Sequence, residues 1–333
     1  PERVVAVLDN SGHEIYFNSA TIKLLGWADG KPPADPVGAS YGRNADGTSN
    51  GRANESAALF TVADPVLAVA IPHPLLSGAQ FYKLMASFGI TSTSEMTYNT
   101  AVLKAYEALA TRPDCPIRVS LFHMSIEPDA GDRLDSPVDP MMLTKQGIKL
   151  WADGSPWVGS IASSFPYLNS PLVQNAEIPL GPGGAAMMNY TRAELDEILA
   201  KYVPMGWQFA FHCNGDVGLD IVLDAYEHAL ATNNLLGTDH RWRVEHMGGC
   251  RGDQFDRAAA MGVGLSLGPF QFIYWGDVLD GQMFPTEIGS EWMRWGDAVR
   301  SGAVYSFHND GSVSPPNVLL NMQTAITRMT PSG

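Results

Sequence analysis

The sequence is short of cysteine, of basic residues and of long apolar runs, and each shortage argues against a class of protein. Its three cysteines, Cys115, Cys213 and Cys250, stand far apart, which argues against a disulfide framework or a cysteine-based zinc site and predicts reduced, buried thiols. The 35 acidic residues outnumber the 21 lysines and arginines, so nucleic-acid binding is not expected. No apolar run reaches the ~18 residues of a membrane span, and no membrane association is expected.

Signatures of nucleotide binding and of targeting are also missing. No G-x-G-x-x-G follows the first apolar run and there is no P-loop, so nothing favours a nucleotide-binding fold. The chain begins PERVVAVLDN, without Met or a signal peptide. We therefore expect a fragment or a processed chain. The sequence indicates no compartment, with the cytoplasm as the default expectation.

Two patterns divide the chain. Residues 1–80 contain two strand-like runs, VVAVLD and EIYFNS, joined by a turn at Asn10-Ser11-Gly12, and then a Gly-, Pro- and Asn-rich stretch over 30–51 that predicts a loop. Over 81–333, seven strands alternate with helices, which predicts a parallel α/β sheet and favours a barrel over an open doubly wound sheet. We therefore predict a β-rich subdomain over 1–80 and a barrel over 81–333.

Polar residues follow the apolar runs at equivalent places. His212 ends WQFAFH, His246 ends RWRVEH and Asp310 follows AVYSFH, while Lys149 lies in GIKLWADGS. In a (β/α)8 barrel the chemistry sits at these strand ends, and imidazole and carboxylate bind zinc and similar ions. Each residue alone would be a structural histidine or a turn aspartate. Their recurrence favours a metal site, in which Asp310 could also take a proton from the activated water.

Lys149 has two alternative roles. An unpaired ammonium within an apolar run is costly, so Lys149 is expected either to pair with Asp153 or to be carbamylated by CO2. A carbamylated lysine carries a carboxylate that can bridge two metal ions. The first role is structural and the second is functional.

Three neighbours are predicted to have supporting roles. Strict alternation along the strand turns Glu245 outward if His246 points inward. His308 is predicted to be a packing residue. Asp216 is predicted to cap the helix that follows it and could also orient His212.

Several motifs together resemble a known family. The segments GHEIYFNSA (12–20), DG…NGRANESA (46–57), GITSTSEM (89–96), IKLWADGS (148–155), FHCNGD (211–216), RVEHM (243–247), SLGP (266–269) and NDGSVSPP with AITR (309–328) stand in this order. The chain thereby resembles amidohydrolase family 3, the metal-dependent hydrolases. The resemblance implies a TIM barrel with a β-sandwich from both chain ends, and identifies 1–80 as an insertion after the first barrel strand.

The resemblance also implies a metal site. His212 and His246 match the ligands of the fifth and sixth strands, Asp310 matches the eighth-strand aspartate, and Lys149 matches a lysine that is often carbamylated. The family's first-strand His-x-His is absent and is expected upstream of Pro1, so this chain is expected to carry barrel strands 2–8 without the first.

The implied activity is hydrolysis of an amide-like C–N bond, other than a peptide bond, by a metal-activated water. One or two divalent ions, expected to be zinc, would act on a small-molecule substrate, with Asp310 as the catalytic residue and His13, Asp153 and Trp275 as substrate-binding residues. The loop over 151–187 and the aromatic stretch over 270–275 are expected to cover the pocket. A catalytically silent binding or structural protein, or an ester or lactone hydrolase, are the alternatives, and a homo-oligomer is allowed.

Overall fold

A computed structural model describes residues 2–9, 11–70, 74–311 and 313–333. The strands are β1 (Ala6–Leu8), β2 (Glu14–Phe17), β3 (Ser40–Arg43), β4 (Ser49–Asn54), β5 (Ser92–Tyr98), β6 (Arg118–Met124), β7 (Leu143–Trp151), β8 (Gln208–Gly215), β9 (Arg243–Gly249), β10 (Gly264–Leu267) and β11 (Tyr305–Phe307). The α-helices are α1 (Ser19–Leu24), α2 (Ser56–Ala70), α3 (Pro74–Ser87), α4 (Leu103–Ala110), α5 (Pro171–Asn175), α6 (Arg192–Tyr202), α7 (Asp216–Thr232), α8 (Gly252–Met261), α9 (Pro269–Leu279), α10 (Thr286–Gly289), α11 (Trp295–Ser301) and α12 (Val318–Thr327).

The larger sheet has seven parallel strands that lie side by side in chain order, from β5 to β11. Helices connect its strands except between β6 and β7, and the sheet curls, which gives a barrel-like α/β fold and confirms the predicted parallel sheet. Within the described ranges, β5 pairs only with β6 and β11 only with β10.

Local sequence explains the central elements of this sheet. Strand β8 is buried along almost its whole length, as a continuous apolar run in a curled parallel sheet must be, because helices cover the outer face and side chains of the strands fill the inside. Helix α6 begins at Thr191, whose side chain accepts from the Glu194 N–H while the Glu194 carboxylate accepts from the Thr191 N–H. This confirms the capping box that T-x-x-E predicts.

The smaller sheet is antiparallel, in the order β1-β2-β4-β3. Its inner face packs on α2 through a cluster that includes Ile15, Tyr41 and Leu59. The predicted loop over 30–51 is partly wrong, because β3 and the start of β4 form a hairpin there. Their sequences, SYGR and SNGRAN, are too polar for the apolar alternation that marks a strand.

The boundary between the two packing units follows α2. Helix α3 packs with β6 in a separate cluster that includes Ala79, Tyr82 and Leu121. The unit built on the smaller sheet therefore includes α2 but not α3, and the division at residue 80 stays a prediction. Of the predicted turn at 10–12, Asn10 lies outside the described residues, and the Gly12 N–H donates to the Asp9 carbonyl at 3.0 Å.

Two further sequence expectations concern apolar helices and thiols. No single described helix is long and apolar enough to cross a membrane, and only the bent pair 56–70 and 75–87 reaches that length and composition. All three cysteines are free, with Cys213 and Cys250 buried and Cys115 partly exposed.

Candidate active site

A cleft of about 240 Å³ opens where the central strands of the larger sheet end. The smaller sheet and the segment after β7 complete its walls. It is lined by Ser11, His13, Ser155, Pro156, Trp157, His212, Asn214, His246, Phe270, Gln271, Asp310 and Val313. The predicted contributions from the loop after β7 and from the aromatic stretch at 270 are both present.

His212 is buried near the end of β8, with 3% of its surface exposed. Its Nε2 lies 2.8 Å from the Gly154 carbonyl oxygen. Because a carbonyl can only accept, Nε2 carries the proton and Nδ1 keeps its lone pair. Burial, and then the neighbouring His13 and Lys149, hold the pKa of His212 well below its usual value. A neutral imidazole with a free lone pair is the form that binds metals.

His246 reaches the same site through an unusual backbone. It lies in register with Cys213, so a flat strand would point it away from His212. The φ angles of 75° at His246 and 59° at Met247 turn the strand, and the rings of His212 and His246 lie 4.5 Å apart between centroids. Burial holds the pKa of His246 well below its usual value.

Glu245 lies in register with His212 and faces the inside of the fold with it. Its carboxylate lies 2.6 Å from Arg243 Nε and 3.7 Å from His308 Nδ1, and the residue is only 4% exposed. The expectation that Glu245 faces outward is therefore wrong, because the positive φ angles at His246 and Met247 turn His246 toward the side that Glu245 already faces. Strand alternation alone could not reveal this reversal.

His308 belongs to the histidine group of the site. Its Nε2 lies 3.0 Å from His246 Nδ1, and its Nδ1 lies 3.0 Å from Ser266 Oγ. The prediction of a packing role is wrong, since both ring nitrogens have polar partners. Its place two residues before Asp310 was the sequence signal that could have found it.

Lys149 lies beneath these rings and is 2% exposed. In the described part of the chain its Nζ has no hydrogen-bond or ion-pair partner, so the alternative pairing with Asp153 is not found. Burial lowers the pKa of Lys149 to about 8, against the opposing charges of Glu245 and Asp310. Asp310 is exposed in the cleft and has a φ of 51°.

Asp153 is fully buried beneath His212 and does not line the cleft. Its carboxylate accepts from the N–H groups of Asn214, Gly215 and Ala162 at 2.8–3.1 Å. Burial raises the pKa of Asp153 to about 7, while these three N–H groups oppose the rise. Asp153 thus ties the segment after β7 to the end of β8.

Asp216 is not a helix cap. Gly215 precedes α7 as its N-cap, and Asp216 is the first helical residue. Its carboxylate accepts from the Ser164 N–H at 2.8 Å and pairs with Arg251 at 3.0 Å. The capping prediction is wrong by one position, because the strand continues to Gly215.

Of the predicted substrate-binding residues His13 and Trp275, only His13 lines the cleft. His13 projects from the smaller sheet, 5.5 Å from His212 between ring centroids, and its Nδ1 lies 2.8 Å from Glu55 Oε2. Trp275 stacks on Trp157 at 4.5 Å and so backs a lining residue. Sequence reasoning missed Glu55, because its apolar neighbours predicted only a helix start.

The donor chemistry fits a divalent cation. His212 and His246 are neutral, Asp310 supplies a carboxylate, and Lys149 is buried beside them. No three His, Cys, Asp or Glu side chains are arranged to hold a metal ion within 2–9, 11–70, 74–311 and 313–333. Convergence of His212, His246 and Asp310 on one ion therefore stays a prediction.

Comparison with known proteins identifies the family. A family model described as "Amidohydrolase family" matches residues 1–333. The chain belongs to the amidohydrolase family. The resemblance drawn from the motifs is thereby confirmed.

Individual amidohydrolase relatives are distant. The Bacillus subtilis (strain 168) protein YtcJ, named as an amidohydrolase, is 23% identical over 98% of this chain, and the N-substituted formamide deformylase of Arthrobacter pascens is 23% identical over 100%. The chain spans 59% and 60% of their lengths. The crystal structure of an uncharacterized metal-dependent hydrolase from Pyrococcus horikoshii OT3 matches 98% of this chain and 61% of its own, with 22% identity and a TM-score of 0.70. This likeness supports the barrel-like fold.

Proposed function

We propose that this amidohydrolase-family chain hydrolyses an amide-like C–N bond, other than a peptide bond, in a small molecule. One observation carries the proposal: two neutral histidines from adjacent strands and the Asp310 carboxylate line one cleft at the strand ends. In parallel α/β barrels this edge of the sheet is where catalytic groups gather.

His212, His246, Asp310 and a carbamylated Lys149 would hold one or two divalent ions, with zinc as the ion we propose. A bound ion would supply a Lewis acid for water and for the scissile carbonyl. The neutral state of both histidines favours binding, because their nitrogens need lose no proton first.

The chain's own groups would carry the proton and hold the substrate. The Asp310 carboxylate would accept the proton of the attacking water and deliver it to the leaving nitrogen. His13 would contact the substrate from the smaller sheet, and Trp275 would support the apolar wall through Trp157. Asp153 would act from below, by holding Asn214 and the segment after β7 in place.

Metal analysis and hydrolysis assays on the purified protein test the proposal. N-substituted formamides are the first substrates to try, since one relative is named as a deformylase of such compounds. Asp310→Asn should lower kcat by about 10²–10⁴-fold, the usual contribution of a positioned acid–base group. Asp239→Asn, at an exposed aspartate paired with Arg241, is the matched control and should retain activity.

The remaining outcomes separate the alternatives. A protein that binds no metal and cleaves no amide would be a binding or structural protein on the same scaffold. Cleavage of esters or lactones with no cleavage of amides would reassign the substrate class. Full activity of Asp310→Asn would remove Asp310 from its proposed catalytic role.

A further inference from the structure

The carboxylate of Glu55 is buried where the two packing units meet. Glu55 directly follows β4 and is 8% exposed. Its φ of 66° lies in the left-handed region, which is unfavourable for a residue with a side chain. Strain of this kind persists only where the surroundings enforce it, and it concentrates at functional sites.

Both carboxylate oxygens of Glu55 are engaged, each by a different unit. Oε2 lies 2.8 Å from His13 Nδ1, which comes from the smaller sheet. Oε1 accepts from the Ser155 N–H at 3.3 Å and from the Ser160 hydroxyl, both in the segment after β7. A side chain at Gly154 would overlap Ser160 and Glu55, so this arrangement requires glycine there. Glu55 therefore joins His13 to the wall of the cleft.

This arrangement fixes the orientation of the His13 ring. A carboxylate oxygen can only accept, so Nδ1 of His13 carries the proton that is shared with Glu55. Nε2 is the remaining polar atom of the ring, and it has no hydrogen-bond partner among the described residues. His13 lines the cleft that also holds Asp310 and His212. The ring thus offers one uncommitted nitrogen to whatever occupies the cleft.

We infer that Glu55 is a positioning residue, which holds the His13 imidazole so that its Nε2 forms a hydrogen bond with the amide group of the substrate. The inference rests on the proposed function and deepens it, because it assigns a substrate contact to a second side of the cleft. The wall opposite the strand-end histidines is then supplied by the smaller sheet. An imidazole that rotated freely would lose this alignment, and misplacement by about 1 Å can cost about 10²-fold in rate.

Glu55→Gln tests this role with little change of shape. One end of the new amide is an NH₂ group, and its neutral oxygen is a weaker acceptor than a carboxylate, so the hydrogen bond that holds the His13 N–H is weakened in either orientation of the amide. We expect kcat on an N-substituted formamide to fall about 10–10²-fold, with KM nearly unchanged and metal content unchanged, since a hydrogen bond aligned for the transition state affects kcat first. His13→Ala should lose a similar factor, and the double variant should lose no more than either single one.

Glu177→Gln is the matched control. Glu177 is also a non-glycine residue with positive φ, and it pairs with Arg52 at 2.7 Å, but its side chain is exposed and outside the cleft. This variant should match the parent protein in kcat and KM. Additive losses in the Glu55→Gln/His13→Ala double variant, or full activity of Glu55→Gln, would overturn the inference.

A measurement independent of turnover separates the inference from the proposed function. In protein labelled with ¹⁵N-histidine, the His13 signals are assigned by their loss in His13→Ala. They should report a proton fixed on Nδ1 in the parent protein and a redistributed proton in Glu55→Gln. If the parent protein cleaves no amide, the proposed function fails. If the His13 signals are unchanged in Glu55→Gln, only the inference that Glu55 positions His13 is rejected.

Discussion

Lys149 is the residue whose chemistry depends most on its surroundings. Burial lowers its pKa to about 8, so roughly a tenth of the molecules carry a neutral amine at this position at pH 7, far more than at the ordinary lysine pKa. Only the neutral amine reacts with CO2: its nitrogen bonds to the carbon, a proton is released, and a carboxylate results. Glu245 and Asp310 oppose this, because their charges favour the ammonium form.

The fate of Lys149 is testable by substitution. Lys149→Ala should remove bound metal and activity together, because the vacated position no longer supplies a ligand. Short-chain carboxylates added to this variant should restore part of both. Metal content is measured on the folded protein, and Lys145→Ala, at another buried lysine with carbonyl partners, controls for the loss of a buried amine. Unchanged metal content in Lys149→Ala would leave the lysine a structural role only.

Helix α9 shapes the apolar wall of the cleft from behind. Trp275 stacks on Trp157 at an interplanar angle of 30°, and Phe270 lies edge-on to Trp275. Trp275→Ala removes the support of Trp157, so we expect KM for an aromatic N-substituted amide to rise about 10-fold, with a smaller effect on kcat. Steady-state kinetics measure the two constants. Tyr274→Ala, at the exposed neighbour on the same helix, should leave KM within about 2-fold; equal effects of the two variants would contradict a role for the stack.

At the level of elements, the periodicity of apolar residues predicted the regular parallel strands. It failed at the polar hairpin and where the backbone of β9 leaves the extended conformation. The seven parallel strands followed from apolar runs, since a strand covered on both faces must be apolar throughout. The hairpin β3–β4 was missed because its many polar, turn-forming residues outweigh its two buried apolar residues, Tyr41 and Ala53. The inward position of Glu245 beside His246 was missed because the positive φ at His246, which brings both side chains to one side, has no sequence signal outside glycine.

Among the described residues, His123 is a buried histidine that does not line the cleft, and its protonation affects the stability of the whole molecule. His123 is 1% exposed, and neither of its ring nitrogens has a hydrogen-bond partner among the described residues. Burial lowers its pKa to about 4; nearby Lys145 adds to this, while Asp129 and Asp132 oppose it. Between pH ~6.5 and ~4 the unfolded chain binds the extra proton, so folding free energy is lost as the pH falls through that window.

The size of this loss can be measured. A pKa lowered from 6.5 to about 4 corresponds to at most about 3.5 kcal/mol at low pH, at ~1.4 kcal/mol per unit. The free energy of unfolding is measured with urea at pH 7 and pH 4.5. Its decrease between these two pH values should be smaller in His123→Gln than in the parent protein, and the difference should be of that order. His228→Gln, on the exposed face of α7, should lose as much folding free energy between pH 7 and pH 4.5 as the parent protein. An equally large loss in His123→Gln would show that the His123 ring does not cause it.

The link from Glu55 to Ser155 joins positions 100 residues apart, and this separation bears on how the protein assembles. Contacts between distant parts of a chain form late, because the entropy of closing the intervening loop must be overcome first. The hairpins of the smaller sheet and the individual helices need only near neighbours. A refolding chain should thus recover its helical circular dichroism before its cleft closes, and for that interval His13 would be folded but not yet facing His212.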